Sequence, residues 1–154
     1  MVEFPRWRER GFTLVELMVV FAIMALVAGL VPMAYGRMRD ASEYREAVRT
    51  IMSQLRSARV VAVNEGRETR FAIDLHKRHY GLEGTPGKDL PEPLKLRVTV
   101  ADREIAPDGR ASIRFLPSGG ATGGSIEVLR APGSGTRLRV DWLSGRVTQE
   151  ALLP

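Results

Sequence analysis

The sequence predicts an α+β fold, with one long N-terminal helix followed by an antiparallel β-sheet head. Three observations carry that expectation. From Leu17 to Tyr35 there are 19 consecutive residues without a charge. Apolar residues then recur at helical spacing from Tyr44 to Ala62. Beyond Gly66, short alternating runs are separated by Gly- and Pro-rich turns, the pattern of antiparallel strands following a helix.

The first segment, LMVVFAIMALVAGLVPMAY, is preceded by FTLVE. Its length meets the criterion for a membrane-spanning helix. A helix over residues 12–35 would extend about 36 Å, enough for a hydrocarbon core of ~30 Å with some tilt. Gly29 and Pro32 are tolerated in membrane helices. The second segment places Tyr44, Val48, Ile51, Leu55, Ala58 and Ala62 on one stripe, with Arg45, Glu46, Arg49 and Arg56 on other faces. It reads as an amphipathic helix packed on a core, its basic residues forming solvated faces. Gly66 is the expected stop. A helix from Phe12 to Glu65 would measure roughly 80 Å.

The strand region begins with Phe71, Ile73 and Leu75, alternating with polar neighbours. Leu94, Leu96, Val98 and Val100 follow, then Ile113/Phe115, Ile126/Val128, Leu138/Val140/Trp142 and Val147. Turn signals lie between them at 84–87, 107–109, 118–120, 132–135 and 144–145. Six or seven strands are expected. Trp142 is expected in the core, and Ser144-Gly145 is expected to form a two-residue hairpin turn.

Composition narrows the function. The chain has 154 residues, 44% apolar and 27% charged, and no cysteine. Disorder, disulfides and thiol chemistry are excluded. The net charge of +5 is spread as +1 over residues 1–11, +1 over 12–39 and +3 over 40–154, leaving no segment strongly basic. No motif of an enzyme is present. His76 and His79 form an H-x-x-H without a third ligand and read as two surface histidines beside a turn. The stretch Ser118–Ser125 is Gly-rich, but no Gly-Lys-Ser/Thr follows, so it reads as a mobile hairpin loop. No metal or cofactor is expected.

The junction before the apolar run is more specific. Arg6, Arg8 and Arg10 lead to Gly11, followed at once by Phe12-Thr13-Leu14-Val15-Glu16. A secretory signal peptide would place its small residues and cleavage site after the apolar run. Here Ala25–Gly29 is followed by further apolar sequence. A carboxylate in an apolar segment costs about 2.5–3.5 kcal/mol at a helix centre and less near an end, so Glu16 calls for a partner or for snorkelling to the interface.

Residues Arg10 to Leu17 resemble the processing site of type IV pilins and type II secretion pseudopilins. The resemblance implies that a prepilin peptidase cuts between Gly11 and Phe12 and that Phe12 becomes N-methylated. It implies that Glu16 serves subunit assembly, meeting the new amine of Phe12 in its own chain or in a neighbour. Gly11 also suits close approach of a protease, having no Cβ. The expected organisation is therefore a leader over residues 1–11, a transmembrane half-helix over 12–35, an amphipathic half-helix over 36–66 and a β-rich periplasmic head over 67–154. Arginines flank both ends of the apolar run, so orientation in the inner membrane follows from the resemblance more than from charge.

Farther on, Phe115–Gly119, Gly124–Glu127 and Val140–Val147 resemble the H-type minor pseudopilins of type II secretion. That family implies a structural subunit at or near the tip of a periplasmic pseudopilus, with other major and minor pseudopilins and the exported substrate as partners. The same broad family contains FimT-type minor pilins, some of which bind DNA for uptake. Arg137, Arg139 and Arg146 lie in the corresponding region, with Arg130 near. Arg137 and Arg139 share a strand face with Asp141, and Glu127 is close. Nucleic acid is not the expected partner on this weak charge footprint.

Overall fold

The computed structural model describes residues 12–130 and 133–153; the side chains of residues 30–35 and 37 also lie outside the described set. The chain divides into two compact units, Met1–Arg39 and Asp40–Pro154. The helix α1 runs from Leu14 to Glu65, and its two halves belong to different units.

In the first unit, every large apolar side chain from Phe12 to Val27 is between 45% and 82% exposed. From Leu17 to Gly29 the helix surface is apolar all round, which is the character of a helix covered by lipid or by other helices. Among the described residues, no helix is long and apolar enough to cross a membrane. The uncharged run predicted to span extends through residues 30–35, whose side chains are not among those described.

In the second unit, the predicted stripe is the core face of α1. Tyr44 and Val48 are buried, and Ile51, Leu55, Ala58 and Ala62 are completely enclosed. The helix stops at Glu65 because Gly66 takes φ +62°, a left-handed conformation that glycine adopts without strain.

The stripe packs against two four-stranded antiparallel sheets. Strands are β1 (Thr69–Asp74), β2 (His79–Leu82), β3 (Lys88–Asp89), β4 (Lys95–Thr99), β5 (Ala111–Phe115), β6 (Gly124–Leu129), β7 (Gly135–Val140) and β8 (Val147–Leu152). One sheet has the order β3-β2-β1-β5 and the other β4-β6-β7-β8. Phe71, Ile73, Tyr80, Ile113 and Phe115 enter the core from the first sheet. Ile126, Val128, Leu138 and Val140 enter it from the second. The alternation that predicted these strands is thus the alternation of core and solvent faces.

Several expectations are corrected. Among the described residues there are eight strands, one more than the upper expected number. Leu75 falls outside β1 and is exposed, because Asp74 turns the chain by accepting the Lys77 N–H at 2.9 Å. Trp142 is 67% exposed, since β7 ends at Val140 and the chain bends at Asp141. The β7–β8 connection is longer than a two-residue turn. Asp141 N–H donates to the Arg146 carbonyl, and Gly145 N–H donates back to the Asp141 carbonyl, enclosing residues 142–145. The Gly-rich stretch is not a free loop: Gly119, Gly120, Ala121 and Gly123 are buried. Its Ala121 N–H donates to the Trp142 carbonyl at 2.9 Å. A side chain at Gly120 would meet the carbonyls of Trp142 and Leu143 at 3.1 Å, so the chain packs there backbone on backbone.

Candidate functional site

The helix start carries the processing motif. Gly11 lies outside the described residues, while Phe12 is 82% exposed and precedes α1. Thr13 caps the helix: its Oγ1 accepts the Glu16 N–H at 3.2 Å, and its carbonyl accepts the Leu17 N–H at 3.2 Å. Thr13-Leu14-Val15-Glu16 has the T-x-x-E spacing of a capping box, with Glu16 at its third helical position. A carboxylate in this first turn faces the positive end of the helix dipole, so Glu16 has a stabilising role in its own chain beside any role toward a neighbour.

A second constellation joins α1 to the head. Arg59 was expected on a solvated helix face with the other basic residues. Instead its Nε–H is shared between the Gly119 carbonyl at 3.0 Å and the Ser144 carbonyl at 2.9 Å. The guanidinium therefore ties the Gly-rich connection and the β7–β8 turn to the helix. Gly145 makes room for it: a Cβ there would stand 2.4 Å from the Gly119 carbonyl oxygen and 3.0 Å from the Arg59 side chain. The turn is also held from within, because Asp141 Oδ1 accepts both the N–H and the hydroxyl of Ser144. Those two bonds, the hydroxyl first, hold the Asp141 carboxyl below its ordinary pKa, and Arg139 adds a weaker attraction. Trp142 and Leu143, 67% and 71% exposed, are thus presented on a fixed turn.

Two of the arginines considered for nucleic acid, Arg137 and Arg139, sit on the outer face of the second sheet. Register places Arg97, Glu127, Arg137 and Glu150 in one row across β4, β6, β7 and β8. Glu127 is buried between its neighbours. It accepts from Arg137 Nη2 at 2.7 Å and Nε at 3.0 Å, and from Arg97 Nη1 at 3.0 Å. Arg137 also reaches Glu150 at 3.9 Å. Two positive and two negative charges close the row, leaving Arg137 little attraction to offer a phosphate. Arg139 stands in the next row opposite Ser125 and Thr148, and Arg146 lies exposed at the turn. Arg130 lies over the Tyr44 ring, 4.4 Å from its centroid. The structure brings Arg137 and Arg139 to one face but gives the charge of Arg137 to Glu127.

The two histidines do not converge. His79 opens β2 and pairs with Asp89 at 2.8 Å, whereas His76 lies in the preceding turn beside Gly109. Among the described residues, no group of three His, Cys, Asp or Glu side chains is placed to hold a metal ion.

Comparison with known proteins fits this division into a processing motif and a head. The prokaryotic N-terminal methylation motif matches residues 8–32. The family of type II transport protein GspH matches residues 47–145, almost the whole constellation from the α1 stripe to Gly145. The chain belongs to the GspH family. Type II secretion system protein H of Xanthomonas campestris pv. campestris is 33% identical over 92% of this chain and 83% of its own length. Its counterpart in Klebsiella pneumoniae is 30% identical over 82% of this chain and 71% of its own. The fold of this GspH-family chain also matches the minor pseudopilin EpsH from the type 2 secretion system of Vibrio cholerae. That match has a TM-score of 0.56 at 19% identity, over 71% of this chain and 97% of the other.

Proposed function

We propose that this chain is a minor pseudopilin of a type II secretion machine, a structural and non-catalytic subunit at or near the tip of a periplasmic pseudopilus. The observation that carries the reading is the pairing of two unlike parts. The head closes its own core, while the start of α1 leaves its apolar side chains uncovered within the stretch that matches the methylation motif. A helix of that character is stable only in lipid or among other helices.

In this reading prepilin peptidase removes residues 1–11 and Phe12 becomes the methylated N-terminus. Residues 12–35 anchor the chain in the inner membrane, residues 36–66 continue the helix, and residues 67–154 form the head in the periplasm. On assembly, Glu16 pairs with the terminal amine of an adjoining pseudopilin, which offsets the cost of a carboxylate in an apolar setting. The other pseudopilins are the main partners, and the assembled tip meets the exported protein.

Glu16→Leu tests the assembly role. Cleavage and membrane insertion should persist, because leucine suits lipid, while incorporation into the filament and secretion should be lost. Secretion at the wild-type level would refute the pairing. Loss of cleavage would move Glu16 into peptidase recognition.

A further inference from the structure

Among the described residues each sheet has two edge strands, and three of the four edges are blunted. β3 is only two residues long, too short to template a partner. The free side of β5 is occupied by the chain itself, through the Ile105–Ala111 and Phe115–Ala121 bridges and the Thr122 N–H on the Arg114 carbonyl. β4 follows Pro91 and Pro93 and exposes Lys95 and Arg97, residue types that discourage the addition of a strand. β8 has none of these devices. Its six residues include no Pro, Lys or Arg, and Thr148 to Ala151 are exposed.

The β7–β8 ladder shows which backbone groups remain open. Asp141 N–H donates to the Arg146 carbonyl, so by alternation Thr148, Glu150 and Leu152 turn their peptide groups toward β7. Val147, Gln149 and Ala151 turn theirs outward, where no described residue meets them. Charge adds a second requirement. The row Arg97, Glu127, Arg137 and Glu150 alternates in sign and ends at this edge. Arg137 gives its two short bonds to Glu127 and reaches Glu150 only at 3.9 Å. The Glu150 carboxylate, 46% exposed, therefore has room for a cation on a next strand.

Resting on the pseudopilin reading, we infer that β8 receives an extended strand of a companion pseudopilin. That strand hydrogen-bonds to Val147, Gln149 and Ala151 and carries a lysine or arginine opposite Glu150. A second copy of this chain does not fit. Paired antiparallel, the two β8 strands would be related by an axis along the sheet normal, and the α1 segments lying on the sheets would point in opposite directions. Both could not then anchor in one membrane. Paired parallel, β8 brings no basic residue to Glu150. A ladder also holds several residues of both partners in one register, which suits a constant neighbour in an assembly and not a passing cargo.

The test uses the full-length chain in cells that carry the complete secretion machine. A photo-crosslinking residue at Gln149 should give an adduct with a companion pseudopilin, identified by mass spectrometry. The same residue at Lys95, on the blunted β4 edge, should give none. An adduct only with a second copy, only with the exported protein, or none at all overturns the proposal, as does equal capture at both positions. Gln149→Pro removes an N–H that β7 does not use, a change that an edge strand tolerates. It should lower secretion of an exported reporter enzyme roughly tenfold, the size of one or two net hydrogen bonds, with the processed chain at its wild-type level. Glu150→Lys should lower secretion about threefold. Charge reversal of the basic residue on the captured strand should restore it, and persistent loss overturns the charge match. Wild-type secretion by Gln149→Pro overturns the proposal; if that variant is degraded, the adduct at Gln149 decides. Deletion of the whole chain without loss of secretion would overturn the pseudopilin reading itself.

Discussion

Replacing Arg59 by methionine removes the guanidinium and keeps an apolar stem of similar length. One Nε–H serves both the Gly119 and Ser144 carbonyls, so a single shared charge-assisted bond is lost, not two independent ones. Such a bond contributes about 1.5–3 kcal/mol, and here its loss leaves two carbonyls in part-buried surroundings. The fragment that begins at Asp40 contains the whole buried core and should unfold cooperatively by itself. For a domain of that size each kcal/mol corresponds to roughly 4 °C, so Arg59→Met should lower its Tm by about 6–12 °C. Thermal unfolding followed by circular dichroism measures this. Gly145→Ala should cost at least ~2 kcal/mol by itself, from left-handed backbone strain and the collision with the Gly119 carbonyl. Because both changes disturb one contact, the double variant should lose less than the two losses added. A Tm within 1–2 °C of wild type for Arg59→Met, measurement scatter on the scale of ~0.5 kcal/mol, would refute the claim that the guanidinium holds the turn to the helix.

Two further predictions concern charge. The Asp141 carboxyl is held below its ordinary pKa, so its contribution is complete above the unfolded value of about 3.9 and is lost as pH falls through the lower folded value. Asp141→Asn should therefore flatten the loss of head stability between roughly pH 5 and pH 3, and an unchanged acid limb would contradict the assignment. On the outer sheet face, the head should bind DNA weakly at ~0.15 M salt, with affinity no tighter than about 10⁻⁴–10⁻⁶ M. Glu127→Gln should strengthen that binding and steepen its salt dependence by freeing Arg97 and Arg137. Sub-micromolar binding by the wild type, abolished by alanine at Arg137, Arg139 and Arg146 together, would favour a DNA-uptake role.

How far the sequence revealed this structure depended on which faces are buried. The α1 stripe was legible because Tyr44 to Ala62 repeat at helical spacing and all of them are buried. β1, β5, β6 and β7 were legible because each sends alternate side chains into one core. β2 gave no such signal: its His-Tyr-Gly-Leu segment contains Gly81, where the backbone of Gly87 approaches too closely for a Cβ. β3 has only two residues, while β8, a polar edge strand with little buried surface, was signalled only by Val147 and the turn before it. Trp142 misled because an apolar residue continuing an alternating run looks like core, while the chain had already turned at Asp141.

The site residues divide in the same way. The processing motif is a contiguous string and could be read directly. The capping role of Thr13 was also present in the sequence, as T-x-x-E immediately before an apolar run. Arg59 could not be found so, because its partners Gly119 and Ser144 lie 60 and 85 residues away and are backbone carbonyls without a sequence signature.

The central claim is that this GspH-family chain is processed as a pseudopilin, keeping its apolar helix start as the anchor of the mature subunit. Mass spectrometry of the N-terminal peptide, from the protein purified out of its native membrane, tests this most directly. The account predicts a peptide that begins at Phe12 and carries one N-methyl group. A mature terminus near Gly29, as an ordinary signal peptidase would leave, would contradict it.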